Sequence, residues 1–231
     1  MKVLELEKTK DPVNQPLIDL EQTIGLQKLG IMNNAVWHED PKRLVFTLSR
    51  YKFVAKMLTG KQQVAEIGCG DGFGARIVRQ EVKNLLITDY DSYFIDRYKQ
   101  QASLKWPIDS KTHNILEAPL ASKMDAIYSL DVLEHIDVSQ EGDFLKNIGL
   151  SLKDNGCAII GMPSLESQLY ASPGSREGHI NCKSGDSLQG LLLKYYEHVF
   201  LFSMNDEVIS TGFSKMAHYL MALCVMPKRI T

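Results

Sequence analysis

The sequence predicts an α/β fold in which a mostly parallel β-sheet carries helices on both faces. From Gln63 onward, short apolar runs alternate with helical patterns, which is typical of successive βαβ units. A length of 231 residues suits one domain, or one domain with a small appendage. Apolar residues make up 44% of the chain and charged residues 23%, so a folded globular protein is expected.

The charge balance and the apolar runs exclude several classes of partner. A formal net charge of −2 provides no broad basic surface for a nucleic acid. The N-terminal residues include acids where a signal peptide needs an apolar run, and the longest apolar stretch, 217–227, is about half a membrane span. We therefore expect a cytoplasmic protein without a membrane span. The four cysteines lack zinc-ligand spacing and are expected to be reduced.

Residues 1–60 predict a helical extension or lid ahead of the sheet. A helix is expected over 40–60, because Asp40 suits an N-cap, Pro41 suits the first helical position and apolar residues recur at helical spacing. A weaker helical pattern covers 17–30. The segment 31–40 is interpreted as a loop.

The remaining elements follow in chain order. Strands are predicted over 64–67, 85–89, 124–130 and 157–163, and helices after Gly72, over 91–102 and over 141–152. The third strand, within 108–116, has a weak signal because this segment is polar. Beyond Pro163 come a polar stretch over 164–186, a helix over 188–196 and two apolar runs over 198–204 and 218–226.

The glycine-rich turn 64-VAEIGCGDGFG-74 is the most informative motif. It lacks the Gly-Lys-Ser/Thr ending of a P-loop, and Phe73 occupies the third glycine position of a dinucleotide fingerprint. Glu66 and Asp71 would place carboxylates where phosphates should lie, which is electrostatically unfavourable. The turn therefore favours a cationic ligand such as S-adenosylmethionine, which has an ammonium and a sulfonium group and no phosphate.

The second strand ends in residues that suit the rest of this ligand. Asp89 lies 21 residues beyond Gly68, where one carboxylate can accept both ribose hydroxyls, and Tyr90 can cover the adenine. Glycines without Cβ atoms let the methionine part lie against the backbone. The alternative is a tight turn with surface acids and no ligand.

With these motifs the chain resembles the class I S-adenosylmethionine-dependent methyltransferases. EIGCGDG resembles their first motif, Asp89 their ribose-binding acid, and 125-DAIYSLDVLEHI-136 their fourth-strand segment. LKDNGCAIIGMPS resembles the following turn and strand, with Asp154-Asn155 in place of Pro-Gly. The resemblance implies a seven-stranded Rossmann-like sheet with an antiparallel last strand in a methyltransferase domain over 61–231. The segment 164–186 would be an insertion on the acceptor side.

The resemblance also implies a set of cofactor-binding residues. Asn114 occupies a position where relatives often have an Asp that meets the adenine amine, and Ile115 would flank the ring. The implied set is Glu66, Gly68, Cys69, Gly70, Asp71, Asp89, Tyr90, Asn114, Ile115, Leu130 and Asp131. No metal site is expected, since relatives that use magnesium need a further acid and an Asn beside Asp131 and Glu134.

Methyl transfer to a hydroxyl favours a general base, and His is the residue type best suited to that role near neutral pH. Among six histidines, His135 follows the fourth strand and His179 lies in the 164–186 insertion, so both are candidate catalytic residues. The alternatives are a packed structural histidine at 135 and a solvated loop histidine at 179.

Several functions remain open at this stage. The leading hypothesis is a methyltransferase acting on a small-molecule or sugar hydroxyl, and weak overall similarity suggests surface-polysaccharide biosynthesis. Alternatives are an N-methyltransferase, a quinone-precursor methyltransferase and a non-catalytic methyltransferase-like subunit. A dinucleotide-dependent oxidoreductase is disfavoured by Phe73 and the acids. The acceptor's identity and the oligomeric state are not determined by any motif.

Overall fold

The computed structural model describes residues 8–229, which form an α/β domain around one eight-stranded sheet. The strand order is β3-β2-β1-β4-β5-β8-β6-β7. Strands β1 to β5 are parallel, and β8 lies between β5 and β6, antiparallel to both. The strands are β1 (Gln63–Ile67), β2 (Asn84–Asp89), β3 (Asp109–Thr112), β4 (Met124–Leu130), β5 (Leu152–Pro163), β6 (Tyr196–Asn205), β7 (Val208–Ser210) and β8 (Tyr219–Pro227).

Helices precede the sheet and connect its strands. They are α1 (Gln15–Ile24), α2 (Ile31–Glu39), α3 (Lys42–Met57), α4 (Ala75–Arg79), α5 (Ser92–Lys99), α6 (Glu141–Ser151), α7 (Pro173–Gly178) and α8 (Gly185–Leu192). None of the helices within residues 8–229 is long and apolar enough to cross a membrane.

The predicted α/β fold class is confirmed, including the antiparallel last strand. Alternate residues of the strands enter two apolar clusters, one on each face of the sheet. Val64 packs in the cluster with α3 and α4, whereas Ala65 packs in the cluster with α6 and α8. Because both faces are covered, β1 and β4 are almost completely buried, which explains their continuous apolar sequences.

The two strands with the weakest sequence signals lie at the two edges of the sheet. Strand β3 lies at one edge with largely exposed residues, so its polar sequence is compatible with its place. At the other edge, β7 is a three-residue strand that pairs with β6 through a turn at Asp206, whose φ is 50°. The expected sheet has seven strands and lacks this eighth one, because three residues carry no usable periodicity.

The N-terminal segment differs from expectation in two ways. Residues 31–39 form helix α2 rather than a loop, since Gly30 provides an N-terminal cap and Asn33 bonds to a distant acid. Helix α3 begins at Lys42 with Pro41 as its N-cap, one residue later than predicted from Asp40. Buried residues of α3 join the core cluster that contains β1, so α3 packs directly on the sheet.

Candidate active site

The glycine turn follows β1 at the carboxyl edge of the sheet, the side on which open α/β sheets bind ligands. Gly68 and Gly70 have φ values of 74° and 52°, which favour glycine. A Cβ atom on Gly68 would lie 2.4 Å from Cγ2 of Val132, so this turn also packs tightly against the segment after β4. Glycine is therefore required at position 68 for two reasons, the positive φ angle and the close packing against Val132.

Asp89 is the last residue of β2 and is only 6% exposed. Its Oδ2 accepts a hydrogen bond from the backbone N–H of Gly70 at 2.9 Å, and its Oδ1 accepts one from the N–H of Asp91 at 2.9 Å. Each carboxylate oxygen can accept a further bond, which is what two ribose hydroxyls require. Tyr90, beside it, is 75% exposed and free to cover a ring.

Glu66 lies beneath the turn and is 1% exposed. Its two carboxylate oxygens accept hydrogen bonds from the hydroxyls of Tyr51 and Tyr128, both at 2.8 Å. Burial raises the pKa of Glu66 to about 8, against the lowering effect of the two tyrosine bonds. Near neutral pH this carboxyl is therefore largely protonated, and the negative charge at the turn rests mainly on Asp71 and Asp89.

Helix α2 contacts the outside of the glycine turn. The backbone N–H of Asn33 donates to Oδ2 of Asp71 at 2.9 Å, and Nδ2 of Asn33 donates to Oδ1 at 2.8 Å. The preceding residue, Met32, also packs against the turn. A Cβ atom added to Gly70 would lie only 2.7 Å from the Met32 sulfur. Helix α2 thus lies directly over Gly70 and Asp71, which are predicted to hold the methionine end of the cofactor.

Four further residues of the predicted cofactor set differ in burial: Ile115, Leu130 and Cys69 are buried, and Asn114 is partly exposed. Ile115 and Leu130 are 6% and 5% exposed, so only an edge of each can face a ligand. Asn114 accepts a bond from the N–H of Leu116 and donates to Glu117, which shapes the loop after β3. Burial raises the pKa of the Cys69 thiol, so this side chain is an uncharged part of the turn.

Asp131 lies just beyond β4 with a φ of 57°, a left-handed conformation that Asp tolerates. Nη1 of Arg50 donates to its Oδ1 at 2.9 Å and to its Oδ2 at 2.8 Å. The same guanidinium lies 3.7 Å from the centroid of the Tyr219 ring. Sequence reasoning did not identify Arg50, because a single Arg on an amphipathic helix has no distinctive pattern.

The two predicted histidines come together although they are 44 residues apart. The ring centroids of His135 and His179 are 5.2 Å apart in an edge-to-face arrangement. Nδ1 of His135 is 2.8 Å from the carbonyl oxygen of Gly178, and Nδ1 of His179 is 2.9 Å from Oε1 of Gln168. Because these oxygens can only accept, each Nδ1 is assigned as the donor, and in a neutral ring this leaves a lone pair on Nε2.

The 164–186 insertion is anchored beside this histidine pair. The N–H of Asn181 donates to the carbonyl oxygen of Glu134 at 2.9 Å, and Nζ of Lys183 forms an ion pair with Glu141 at 2.8 Å. The Glu134 side chain is fully buried, and burial together with nearby Asp131 raises its pKa well above the usual range. These contacts place the insertion at the carboxyl edge of β4.

The geometry of the turn fits S-adenosylmethionine. Gly68 and Gly70 have positive φ angles, Asp89 offers two acceptor oxygens, and Asp71 offers negative charge at the turn. None of these features favours a pyrophosphate, which would meet the carboxylates of Asp71 and Asp89. The structure thus brings the predicted cofactor residues to one end of the sheet, with Glu66 beneath them.

Comparison with solved structures agrees with this architecture. The N-methyltransferase NodS of Bradyrhizobium japonicum WM9, solved with S-adenosyl-L-homocysteine, is 18% identical with a TM-score of 0.62, and the match covers 83% of this chain and 91% of NodS. A S-adenosylmethionine-dependent methyltransferase of Thermotoga maritima is 16% identical with a TM-score of 0.63, covering 85% of this chain and 98% of its own. At these identities the likeness shows the fold.

Curated protein sequences are also similar to part of the chain. A protein of Mycobacterium tuberculosis (strain ATCC 25618 / H37Rv), named "Probable S-adenosylmethionine-dependent methyltransferase Rv3030", is 25% identical over 57% of this chain and 44% of its own length. A methyltransferase of Mycolicibacterium smegmatis is 25% identical over 54% of this chain and 45% of its own. The chain thus spans less than half the length of these curated relatives.

A family model described as "Methyltransferase domain" matches residues 36–195, which is more than half of the chain. This match extends from α2 through the glycine turn and β4 to the end of α8. The chain therefore belongs to the class I S-adenosylmethionine-dependent methyltransferases, whose cofactor is S-adenosylmethionine.

Proposed function

We propose that the protein transfers the methyl group of S-adenosylmethionine to a hydroxyl of a small-molecule or sugar acceptor. The observation that carries this proposal is the contact between His135 and His179 at the carboxyl edge of β4. Each ring donates through Nδ1 to a carbonyl oxygen, so each has an Nε2 lone pair available for a hydroxyl proton.

The reaction is an in-line displacement at the methyl carbon. The carbon–sulfur bond of the sulfonium breaks as a carbon–oxygen bond forms, the hydroxyl proton passes to Nε2 of His135 or His179, and S-adenosylhomocysteine leaves. The protein has to hold the acceptor oxygen about 3 Å from the methyl carbon and to exclude water. The cofactor supplies the activated methyl group, and the side chains supply alignment and the proton acceptor.

The 164–186 insertion is well placed to bind the acceptor. Leu169 and Tyr170 are 80% and 89% exposed, next to Gln168, which bonds to His179. An exposed aromatic ring beside polar groups suits the mixed apolar and hydroxylated faces of a sugar. On the opposite side of the glycine turn, α2 would act as the lid predicted for the N-terminal extension.

Methyl transfer from S-adenosylmethionine could also act on other acceptors. The alternatives are an amine and a quinone precursor. NodS is named as an N-methyltransferase. An amine acceptor would need the same alignment with the methyl carbon as a hydroxyl, but it would depend less on a general base. A methyltransferase-like subunit that binds cofactor without turnover is the alternative from a different class. Surface-polysaccharide biosynthesis remains the pathway that we favour for a sugar acceptor.

The first experiment is calorimetric titration of the purified protein with S-adenosylmethionine and S-adenosylhomocysteine, using NADH as the control ligand. We expect micromolar binding of the first two and none of NADH. The second experiment uses S-adenosylmethionine with an isotopically labelled methyl group and panels of saccharides, amines and quinone precursors. Mass spectrometry of the product shows whether oxygen or nitrogen carries the label, and methylation of amines alone would contradict the hydroxyl assignment.

A further inference from the structure

We propose that Glu134, His135 and His179 form a divalent-cation site beside the cofactor turn. One ligand atom from each of these residues lies within 4.8 Å of the other two. Nε2 of His135 is 4.0 Å from Oε1 of Glu134. The sequence predicts no metal site, because Asp131 and Glu134 lack the further acid and the Asn of a magnesium set, and no motif indicates that His179 lies beside them.

The environment of the Glu134 carboxyl group is the strongest evidence for a bound cation. It is 0% exposed, and neither of its oxygens has a hydrogen-bond partner among residues 8–229. The nearby guanidinium of Arg50 donates instead to Asp131. Buried oxygens without a hydrogen-bond partner are unfavourable whether the carboxyl group is ionised or protonated. A cation between Glu134 and the imidazoles would give these oxygens the partner that they lack.

Both imidazoles make the hydrogen bonds that metal-binding histidines typically make. Each Nδ1 donates to a carbonyl oxygen, that of Gly178 for His135 and that of the Gln168 side chain for His179. Such outer hydrogen bonds fix the tautomer and leave Nε2 as the metal-binding atom. Because Gln168 and Gly178 both belong to the 164–186 insertion, the insertion would complete the site by orienting both rings.

The site can be reached from solvent and needs only a small contraction. The His135 side chain is 48% exposed, which leaves a route for an ion. With metal–ligand bonds of about 2.1 Å, neighbouring ligand atoms lie roughly 3 to 3.5 Å apart, so side-chain shifts of about 1 Å suffice. Three protein ligands would leave further positions on the ion open, as in catalytic rather than structural metal sites.

Two imidazole nitrogens and one carboxylate favour a first-row transition ion such as Mn²⁺, Fe²⁺, Co²⁺ or Zn²⁺ over Mg²⁺ or Ca²⁺. The open positions would face the acceptor side of the cofactor turn and would suit neighbouring hydroxyls of a sugar. This role in acceptor binding rests on the proposed function, and the ion rather than an imidazole would then contact the acceptor hydroxyl. Cation binding itself does not depend on that function.

The test is a Co²⁺ titration of the chelator-treated protein after removal of any purification tag. Calorimetry gives the stoichiometry, and the visible absorption of Co²⁺ reports its ligands. We expect one Co²⁺ per chain, and affinity at least about tenfold lower in Glu134→Gln and in His179→Ala. His198→Ala removes an exposed strand histidine and serves as the matched control, with unchanged affinity expected.

Several outcomes would overturn the site. These are the absence of stoichiometric Co²⁺ binding, unchanged binding in both site variants, or an equal loss in His198→Ala. If Glu134→Gln fails to fold, His179→Ala decides the matter, because His179 is in the insertion and only partly buried. Labelled-methyl transfer and titration with S-adenosylhomocysteine, measured on each variant, separate the two proposals, since Co²⁺ binding can fail while cofactor binding and hydroxyl methylation persist, and the reverse also holds.

Discussion

Arg50 and Asp131 form a two-bond ion pair across 81 residues of sequence, with Nη1 of Arg50 2.9 Å from Oδ1 and 2.8 Å from Oδ2 of Asp131. The Arg50 side chain is 14% exposed and the Asp131 side chain 40%. The pair joins α3 to the loop after β4, where Asp131 has a left-handed backbone. It thereby ties the N-terminal segment to the loop that leads to Glu134 and His135.

We predict that Arg50→Met lowers the free energy of unfolding by about 2 kcal/mol. The change leaves the partly buried Asp131 carboxylate without its partner, which costs more than the loss of an exposed pair. Urea unfolding at pH 7 measures the effect. Arg229→Ala is the control, because its pair with Asp154 is nearly fully exposed and should contribute less than about 1 kcal/mol. Equal effects of the two changes would contradict the prediction.

We predict that Asp89→Ala weakens binding of S-adenosylhomocysteine at least about tenfold, or about 1.4 kcal/mol. The carboxylate is expected to accept hydrogen bonds from both ribose hydroxyls, and it also accepts one from the backbone N–H of Gly70. Calorimetric titration provides the measurement. Asp96→Ala, on the exposed side of α5, is the matched control and should bind normally. Unchanged affinity in Asp89→Ala would remove Asp89 from the ribose site.

We predict that Glu66 makes stability fall as the pH rises. Burial raises its pKa from 4.5 to about 8, so between these values the folded protein keeps a proton that the unfolded chain loses. Its contribution to the free energy of unfolding is full below pH 4.5, falls by at most about 1.4 kcal/mol per pH unit, and levels off above pH 8.

Urea unfolding of wild type and Glu66→Gln at pH 5, 6, 7 and 8 tests the pH prediction. The variant cannot ionise at this position, so the stability of the wild type relative to the variant should decrease across this range. Glu197→Gln, at an exposed position of β6, is the control and should follow the wild type. Parallel curves for wild type and Glu66→Gln would show that Glu66 does not titrate in this window.

We predict that Asn33→Ala raises hydrogen exchange in α2 about tenfold. No residue of α2 is buried in the described chain, so its position depends on few contacts, and Nδ2 of Asn33 bonds both oxygens of Asp71. Loss of these bonds should cost about 1 to 1.5 kcal/mol. Hydrogen exchange followed by mass spectrometry measures it. Asn34→Ala, an exposed neighbour, is the control, and the same increase there would contradict the prediction.

We predict that His135→Ala and His179→Ala each lower turnover at least about tenfold, with little effect on S-adenosylhomocysteine affinity. Both Nε2 atoms are expected to face the acceptor side, either directly or through a bound ion. Single-turnover kinetics with a labelled methyl donor isolates the chemical step. His198→Ala should keep wild-type turnover. Full activity in both site variants would mean that this pair takes no part in the reaction.

Sequence alone was sufficient for the order of the central elements and for the cofactor turn. The glycines at 68 and 70 have the positive φ angles that their residue type allows, and Asp89 ends its strand as expected. These features are local, because turn conformation, helix caps and apolar periodicity depend on neighbouring residues. The loop expected over 31–40 was wrong because a distant contact, from Asn33 to Asp71, stabilises a helix with weak local signals.

Tertiary structure decided how distant side chains meet and which of them are charged. Arg50 reaches Asp131 because α3 packs on the sheet, and His179 reaches His135 because the insertion bonds to the loop after β4. Burial beneath the turn, which no motif encodes, raises the pKa of Glu66 to about 8. Sequence therefore determined the glycine turn, whereas long-range packing, through distance and desolvation, determined the histidine pair and the Glu134 cluster.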